Sequence, residues 1–105
     1  MLSKIKESII GRNVKFTSHA REEMERDEFG EIDKEEVYES ILSGEIIEKY
    51  EDDKPYPSCL IFGKTPRGRP IHAVCAYVKD EKLTVIVTVY HPDPSKWIKY
   101  KKRRK

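Results

Sequence analysis

The chain has 105 residues, which is the size of one domain, and 38% of them are charged. It contains no run of about 18 apolar residues, as a membrane span needs, and its first residues lack the apolar core of a signal peptide. We therefore expect a cytoplasmic protein with no membrane partner.

Charge is distributed unevenly along the chain. The net charge is +2, but residues 94–105 carry seven basic side chains and no acid, which leaves −5 on the remainder. A basic segment on an acidic body is typical of proteins that contact nucleic acid or an acidic partner, and also of a frayed, solubilising terminus.

The rare residue types give two smaller indications. The chain has no Gln and one Asn, while Lys, Glu and Ile are abundant, a bias typical of thermophiles. Its two cysteines, Cys59 and Cys75, lie within predicted strands and are interpreted as small buried residues, since two cysteines are too few for a zinc site. No P-loop or other cofactor or metal motif is present, so we expect neither a cofactor nor a metal.

Helices are predicted in the first part of the chain. Apolar residues at helical spacing indicate a short amphipathic helix over 2–11, and residues 13–16 are either a brief extended segment or a turn. Thr17 and Ser18 can cap a second helix that runs to about residue 28. A third helix over 34–42 follows the capping-box pattern of residues 33–36.

Strands are predicted in the second part. Residues 45–50 form the first strand, at an edge, and three antiparallel strands follow between Pro55 and Tyr90. In the last of them alternation assigns Leu83, Val85, Val87 and Val89 to the core, and the residues between them to a partly polar face. The prediction is an α+β fold, with N-terminal helices packed on one face of a roughly four-stranded antiparallel sheet. It forms a single domain over 1–97, followed by a basic tail over 98–105.

His19 is the first candidate catalytic residue. It lies at the start of the second predicted helix, on one stripe with Glu23 and Arg26. A neutral imidazole in that position can act as a general base. The alternative is a histidine whose ring only bonds a neighbouring carboxylate or the backbone.

Cations in the turn after the first long strand are candidate phosphate ligands. Lys64, Arg67 and Arg69 surround a glycine, and we expect them to have no nearby acid to pair with. Arg can bind a phosphate through two parallel hydrogen bonds. An ordinary exposed hairpin is the alternative. Basic residues of the tail extend the candidate RNA-binding set: Lys101, Lys102, Arg103 and Arg104.

His72, Tyr90 and His91 lie in or beside the last two strands and are further catalytic candidates. If His72 and Tyr90 share the face away from the core, the sheet carries a polar site. A buried, hydrogen-bonded His72 is the alternative. The three histidines lie in separate segments, so a metal site built from them is not expected.

Several segments resemble one family. Residues 18–26 (SHAREEMER) resemble the HAxxRMxxR opening of DUF4258, a widespread prokaryotic family of unknown function, with Glu23 where Arg often precedes Met. Segments 44–48, 53–60 and 90–97 resemble it as well, and the likeness covers about residues 15–97. The family is similar in layout to the RelE/ParE/BrnT-like toxins of toxin–antitoxin pairs. This resemblance implies an mRNA endoribonuclease, with RNA or the ribosome and an antitoxin-like protein as partners, but it supplies no established catalytic residue.

Three hypotheses follow. The chain is a RelE-like, metal-independent endoribonuclease, in which His19 or His72 is the base, Arg67 and Arg69 bind the phosphate, and Tyr90 or His91 donates a proton. Alternatively, it is a non-catalytic module that binds nucleic acid or protein. A third reading is an interaction protein that receives a partner segment on the strand 45–50 or on its helices.

Overall fold

The computed structural model describes residues 1–105, which form three α-helices and seven β-strands. The helices are α1 (Leu2–Ile10), α2 (Ser18–Arg26) and α3 (Lys34–Leu42). The strands are β1 (Val14–Phe16), β2 (Glu45–Tyr50), β3 (Ser58–Lys64), β4 (Pro70–Val78), β5 (Leu83–Tyr90), β6 (Trp97–Ile98) and β7 (Lys102–Arg103). None of the helices has the length and apolar character that crossing a membrane requires.

Five strands form one mixed sheet in the order β1-β5-β4-β3-β2. Strand β1 runs parallel to β5, and the other neighbours are antiparallel. The predicted α+β class with N-terminal helices is confirmed, as is β2 at the sheet edge. The predicted four-stranded antiparallel sheet is wrong, because β1 has only three residues and pairs with a strand far along the chain. A segment of that length shows no periodicity of its own.

The main core lies between the three helices and one face of the sheet. Fifteen buried apolar residues form it: Ile5, Ile9, Phe16, Ala20, Met24, Ile32, Val37, Ile41, Cys59, Ile61, Ile71, Ala73, Cys75, Ile86 and Val89. Both cysteines are buried free thiols, so their interpretation as small core residues is confirmed. Helix α3 lies so close to β3 that a Cβ added at Gly63 would overlap the Ser40 carbonyl group.

The predicted faces of β5 are right for Val89, which lies in the core, and wrong for Leu83, Val85 and Val87, which do not. Pairing between β4 and β5 shifts by one residue between Val74 and Cys75, so the alternation along β5 changes at the bulge. Ile86 is fully buried with Val89 in the main core, whereas Val85 and Val87 are only half-buried. Because valine or isoleucine occupies positions 85, 86, 87 and 89, the sequence gives no sign of the shift.

The C-terminal residues cover part of the second sheet face. Strands β6 and β7 form a hairpin, and the single Trp97 at its start is 4% exposed. Its ring makes an edge contact with His72, with centroids 4.5 Å apart. Trp97 therefore packs against the second face of the sheet. Strand β6 spans the expected boundary at 97/98, and hydrogen-bonded structure continues to β7.

Candidate functional site

Helix α2 completes the open edge of β5. Strand β1 ends at Phe16, so the last residues of β5 have no partner strand on that side. The Val89 N–H donates to Glu23 Oε1 (3.1 Å), and the His91 N–H donates to Asp27 Oδ2 (2.9 Å). Residues four apart on a helix are separated by about 6 Å, and residues two apart on a strand by about 6.7 Å. The two carboxylates therefore match two successive N–H groups of the strand edge.

A polar groove lies where α2 meets the end of β5. This α2–β5 groove has a volume of about 360 Å³ and is lined by His19, Glu22, Glu23, Arg26, Asp27 and Tyr90. His19 Nε2 lies 3.3 Å from Glu23 Oε1, and the His19 side chain is 67% exposed. Burial raises the pKa of Glu23 above 4.5, while the Val89 N–H lowers it in part. Arg26 is exposed and pairs with no carboxylate.

Tyr90 connects this groove to a fully buried His72. The Tyr90 hydroxyl lies 3.2 Å from His72 Nδ1, and His72 Nε2 lies 2.6 Å from the Tyr100 carbonyl oxygen. Because a carbonyl only accepts, His72 carries its proton on Nε2, and Nδ1 accepts from Tyr90. Burial lowers the pKa of His72 to about 4 and raises that of Tyr90 to about 12. Both side chains are therefore neutral near pH 7, and His72 has no nitrogen free for a substrate.

His91 lies beside a second pocket. This pocket has a volume of about 300 Å³, is lined by Asp27, Glu28, Tyr90, His91, Asp93, Lys96, Trp97 and Arg103, and is called the base pocket below. It shares Asp27 and Tyr90 with the α2–β5 groove. His91 stacks on Phe29 with ring centroids 4.6 Å apart, and its buried Nδ1 has no hydrogen-bond partner. Burial, followed by the charge of Arg69, lowers the pKa of His91 below 6.5.

Arg69 holds the loop after α2 against the sheet. Its guanidinium donates to the Glu31 carbonyl (2.7 Å), to the Gly30 carbonyl (2.5 Å) and to Glu36 Oε2 (3.2 Å). The interpretation that these turn cations have no nearby acid is therefore wrong for Arg69, because its partner lies in α3. Lys64 and Arg67 are exposed and form no ion pair. The predicted turn residues thus lie apart from the α2–β5 groove, whose lining contains none of them.

Two basic residues of the C-terminal hairpin pair with β2. A bulge between Ile46 and Glu48 places Glu45 and Glu48 on one face of that strand. Lys101 Nζ lies 3.3 Å from a Glu45 carboxylate oxygen, and Arg103 Nε donates to Glu48 Oε2 at 2.8 Å. Arg103 also lies 4.6 Å above the Trp97 ring. The hydrogen bond from Arg103 lowers the pKa of Glu48 below 4.5.

The remaining two basic candidates of the hairpin have no acidic partner. Lys102 is exposed and forms no ion pair, and Arg104 Nε donates to the Pro94 carbonyl at 3.0 Å. Among the predicted catalytic residues, His19, Tyr90 and His91 line adjoining pockets. His72 contacts Tyr90 and lines neither pocket. Asp27, Phe29 and Lys96 were not predicted. For Asp27 a signal exists, since it follows Glu23 by four residues and the two share a helix stripe.

Fold and site together define a small α+β domain with a polar, histidine-containing groove at one end of its sheet. The family described as "Domain of unknown function (DUF4258)" matches residues 16–91, and the chain belongs to that family. The resemblance drawn from residues 18–26 and the later segments is thereby confirmed. No curated protein and no solved structure matches the chain.

Proposed function

We propose that this protein is an endoribonuclease that acts on single-stranded RNA in the α2–β5 groove. The observation that carries the proposal is the convergence there of a histidine–carboxylate pair, an unpaired arginine and the side chain of Tyr90. Cleavage by 2′-hydroxyl attack needs a base, a cation for the phosphate and a proton donor for the leaving oxygen. Each of these can be assigned to one residue.

His19 is assigned as the general base. When His19 Nε2 carries a proton and turns its N–H towards Glu23 Oε1, which lies 3.3 Å away, the lone pair of Nδ1 is available for the 2′-hydroxyl proton. Glu23 then orients the ring and stabilises the imidazolium that forms, as a carboxylate does in a catalytic triad. The Val89 N–H fixes the same carboxylate oxygen, so Glu23 is held in place by the sheet edge.

Arg26 and Tyr90 are assigned to the phosphate and the leaving group. Attack forms the bond from O2′ to phosphorus, breaks the bond from phosphorus to O5′, and leaves a 2′,3′-cyclic phosphate. Arg26 balances the charge on the phosphoryl oxygens. The Tyr90 hydroxyl, whose 3.2 Å bond to His72 is long, can turn to protonate O5′. The proton on His19 then returns to the Tyr90 phenolate through water, so the cycle closes without a metal.

A RelE-like place in a toxin–antitoxin pair is part of the proposal. It is supported by the layout of helices on one face of a small sheet and by a free edge strand. The proposal places the protein in the cytoplasm, where its proposed target, RNA or the ribosome, lies. Strand β2 pairs only with β3, so its other side can accept an added strand from an antitoxin-like partner.

The test is induced expression in a bacterial host with RNA integrity followed over time. Wild type is compared with His19→Ala and Arg26→Gln, and Arg21→Gln is the matched control because Arg21 is exposed on the same helix outside the groove. We expect growth arrest and RNA cleavage with wild type and Arg21→Gln, and loss of both with the two groove variants. Intact RNA with wild type, both in cells and with purified translating ribosomes, would refute the proposal.

A non-catalytic nucleic-acid-binding module is the second candidate. The observation that favours it is a set of exposed cations without acidic partners outside the groove: Lys64, Arg67 and Lys102. On single-stranded RNA each phosphate contact changes the slope of log K against log salt by about −0.7. This candidate predicts salt-dependent binding that weakens in a triple Ala variant of these cations, with no cleavage. Undetectable binding at low salt would eliminate it.

A further inference from the structure

The base pocket has the dimensions and walls of a small-ligand site. Its volume of about 300 Å³ is at the lower end of the range of roughly 300–1,000 Å³ for ligand pockets. It lies between the end of β5, the end of α2 and the C-terminal hairpin. Its lining combines aromatic rings, carboxylates and two cations. This mixture suits a nucleotide better than a purely apolar ligand.

The His91 ring lines this pocket and packs on Phe29. Phe29 packs against His91 with an angle of 25° between the ring planes, and Phe29 itself does not line the pocket. Phe29 can cover only one face of the His91 ring, and His91 itself lines the pocket. One carboxylate fixes both aromatic residues, because Asp27 accepts from the Phe29 N–H and from the His91 N–H, each at 2.9 Å. Such an ordered platform loses little freedom when a planar base stacks on it.

Hydrogen-bond acceptors and one cation surround the platform. Asp93 Oδ1 accepts from the backbone and hydroxyl of Ser95, while Asp93 Oδ2 and the exposed Glu28 carboxylate accept no hydrogen bond. These oxygens can accept from the amino group of a base. The Lys96 ammonium group pairs with no carboxylate, so it is free for a phosphate.

We propose that the base pocket holds a nucleobase that carries an amino group, stacked on His91, with its phosphate at Lys96. This proposal extends the proposed function. It rests on that function for the path of the RNA chain from the base pocket into the α2–β5 groove. Since the base pocket and the α2–β5 groove share Asp27 and Tyr90, a neighbouring nucleotide would have its phosphate in the groove. Single-stranded RNA with an unpaired cytosine, adenine or guanine is the substrate class.

The only tryptophan of the chain is a built-in reporter, because Trp97 lines the base pocket. Full-length protein is titrated with CMP, with UMP and with ribose 5-phosphate while Trp97 fluorescence is followed with excitation at the red edge of its absorption. CMP and UMP differ at C4, an amino group against a carbonyl oxygen, and at N3, which carries a hydrogen only in uracil. We expect a saturable change with CMP, binding weaker by about 5-fold or more with UMP, and no change with ribose 5-phosphate.

Two matched variants test the platform. His91→Ala removes the ring, whereas His91→Phe keeps a stacking surface, and both retain the backbone N–H that Asp27 accepts. We expect His91→Ala to weaken CMP binding by about 5- to 150-fold and His91→Phe to preserve most of it. Tyr56→Ala is the control, since Tyr56 is an exposed aromatic residue outside the base pocket.

His19→Ala separates this proposal from the proposed function. His19 does not line the base pocket, so this variant should bind CMP as wild type does even where it cleaves no RNA. Binding of CMP without RNA cleavage by wild type would retain the base pocket and reject the nuclease. An equal response to ribose 5-phosphate, unchanged binding in His91→Ala, or no saturable change with CMP would overturn the base pocket.

Discussion

The buried, neutral state of His72 makes the stability of the fold sensitive to acid. In the folded protein burial lowers the pKa of His72 to about 4, against an ordinary value of 6.5 in the unfolded chain. Between these values the unfolded state binds more protons than the folded state, so stability falls as the pH falls through this window. His72 is neutral in both states above the window, where this effect vanishes.

The magnitude follows from the two pKa values. Between about pH 7.5 and about pH 4.5, the free energy of unfolding should fall by about 2.5 kcal/mol through His72 alone. Carboxylates also titrate in acid, so the quantity to measure is the difference between wild type and a variant without an ionisable group there. His72→Gln is suitable, because its amide can donate to the Tyr100 carbonyl and accept from Tyr90.

Urea unfolding at several pH values, followed by circular dichroism, measures this difference. We expect the wild-type free energy of unfolding to fall more steeply than that of His72→Gln on going from about pH 7.5 to pH 4.5, by about 2.5 kcal/mol. Parallel pH profiles would refute the reasoning, because they would mean that His72 titrates alike in the folded and unfolded states. Nitrogen chemical shifts of the imidazole check the proton on Nε2 independently.

Three further outcomes are expected. Glu23→Ala leaves the Val89 N–H without an acceptor and should lower the free energy of unfolding by about 1–3 kcal/mol, whereas Glu23→Gln keeps an acceptor oxygen and should lower it less. Unfolding in urea and hydrogen exchange at Val89 measure both effects. Equal losses in the two variants would contradict the edge contact. Gly63→Ala should destabilise the fold by about 3 kcal/mol or more, because the added Cβ would overlap a backbone carbonyl of α3. A melting temperature near that of wild type would contradict this close approach of α3 to β3. Arg103→Ala should lower the free energy of unfolding by about 1 kcal/mol and shift Trp97 emission to the red, because the C-terminal hairpin loses its contact with Glu48. An unchanged emission spectrum would mean that the hairpin is held without this side chain.

Local signals in the sequence predicted much of the architecture. The pattern of residues 33–36 predicted the start of α3, and both hydrogen bonds of its capping box are present. Long apolar runs predicted β3, β4 and β5. Residues 13–16 were predicted only as a brief extended segment or a turn, and the pairing of β1 with β5 was not predicted, since three residues carry no periodicity and their partner is distant in sequence. The bulge in β5 was hidden because valines occupy both faces around it.

Local signals in the sequence also predicted parts of the candidate site. The spacing of His19 and Glu23 on one helix placed the pair together, and the ring and carboxylate are 3.3 Å apart. The acceptor role of Glu23 towards β5 depends on a backbone group of a later strand, which no side-chain pattern marks. Arg69 was misread for a similar reason, because its acid, Glu36, lies on another element.

The most direct test of the endoribonuclease proposal is the fate of one RNA oligonucleotide and its DNA counterpart of the same sequence, incubated with purified protein. The oligonucleotides contain unpaired cytosines, and the new 3′ ends are identified by mass spectrometry. We predict that wild type cleaves the RNA to products with 2′,3′-cyclic phosphates, leaves the DNA intact, and loses this activity in His19→Ala. Intact RNA with wild type in the presence and absence of ribosomes, or equal cleavage of the DNA, would contradict attack by the 2′-hydroxyl in the α2–β5 groove.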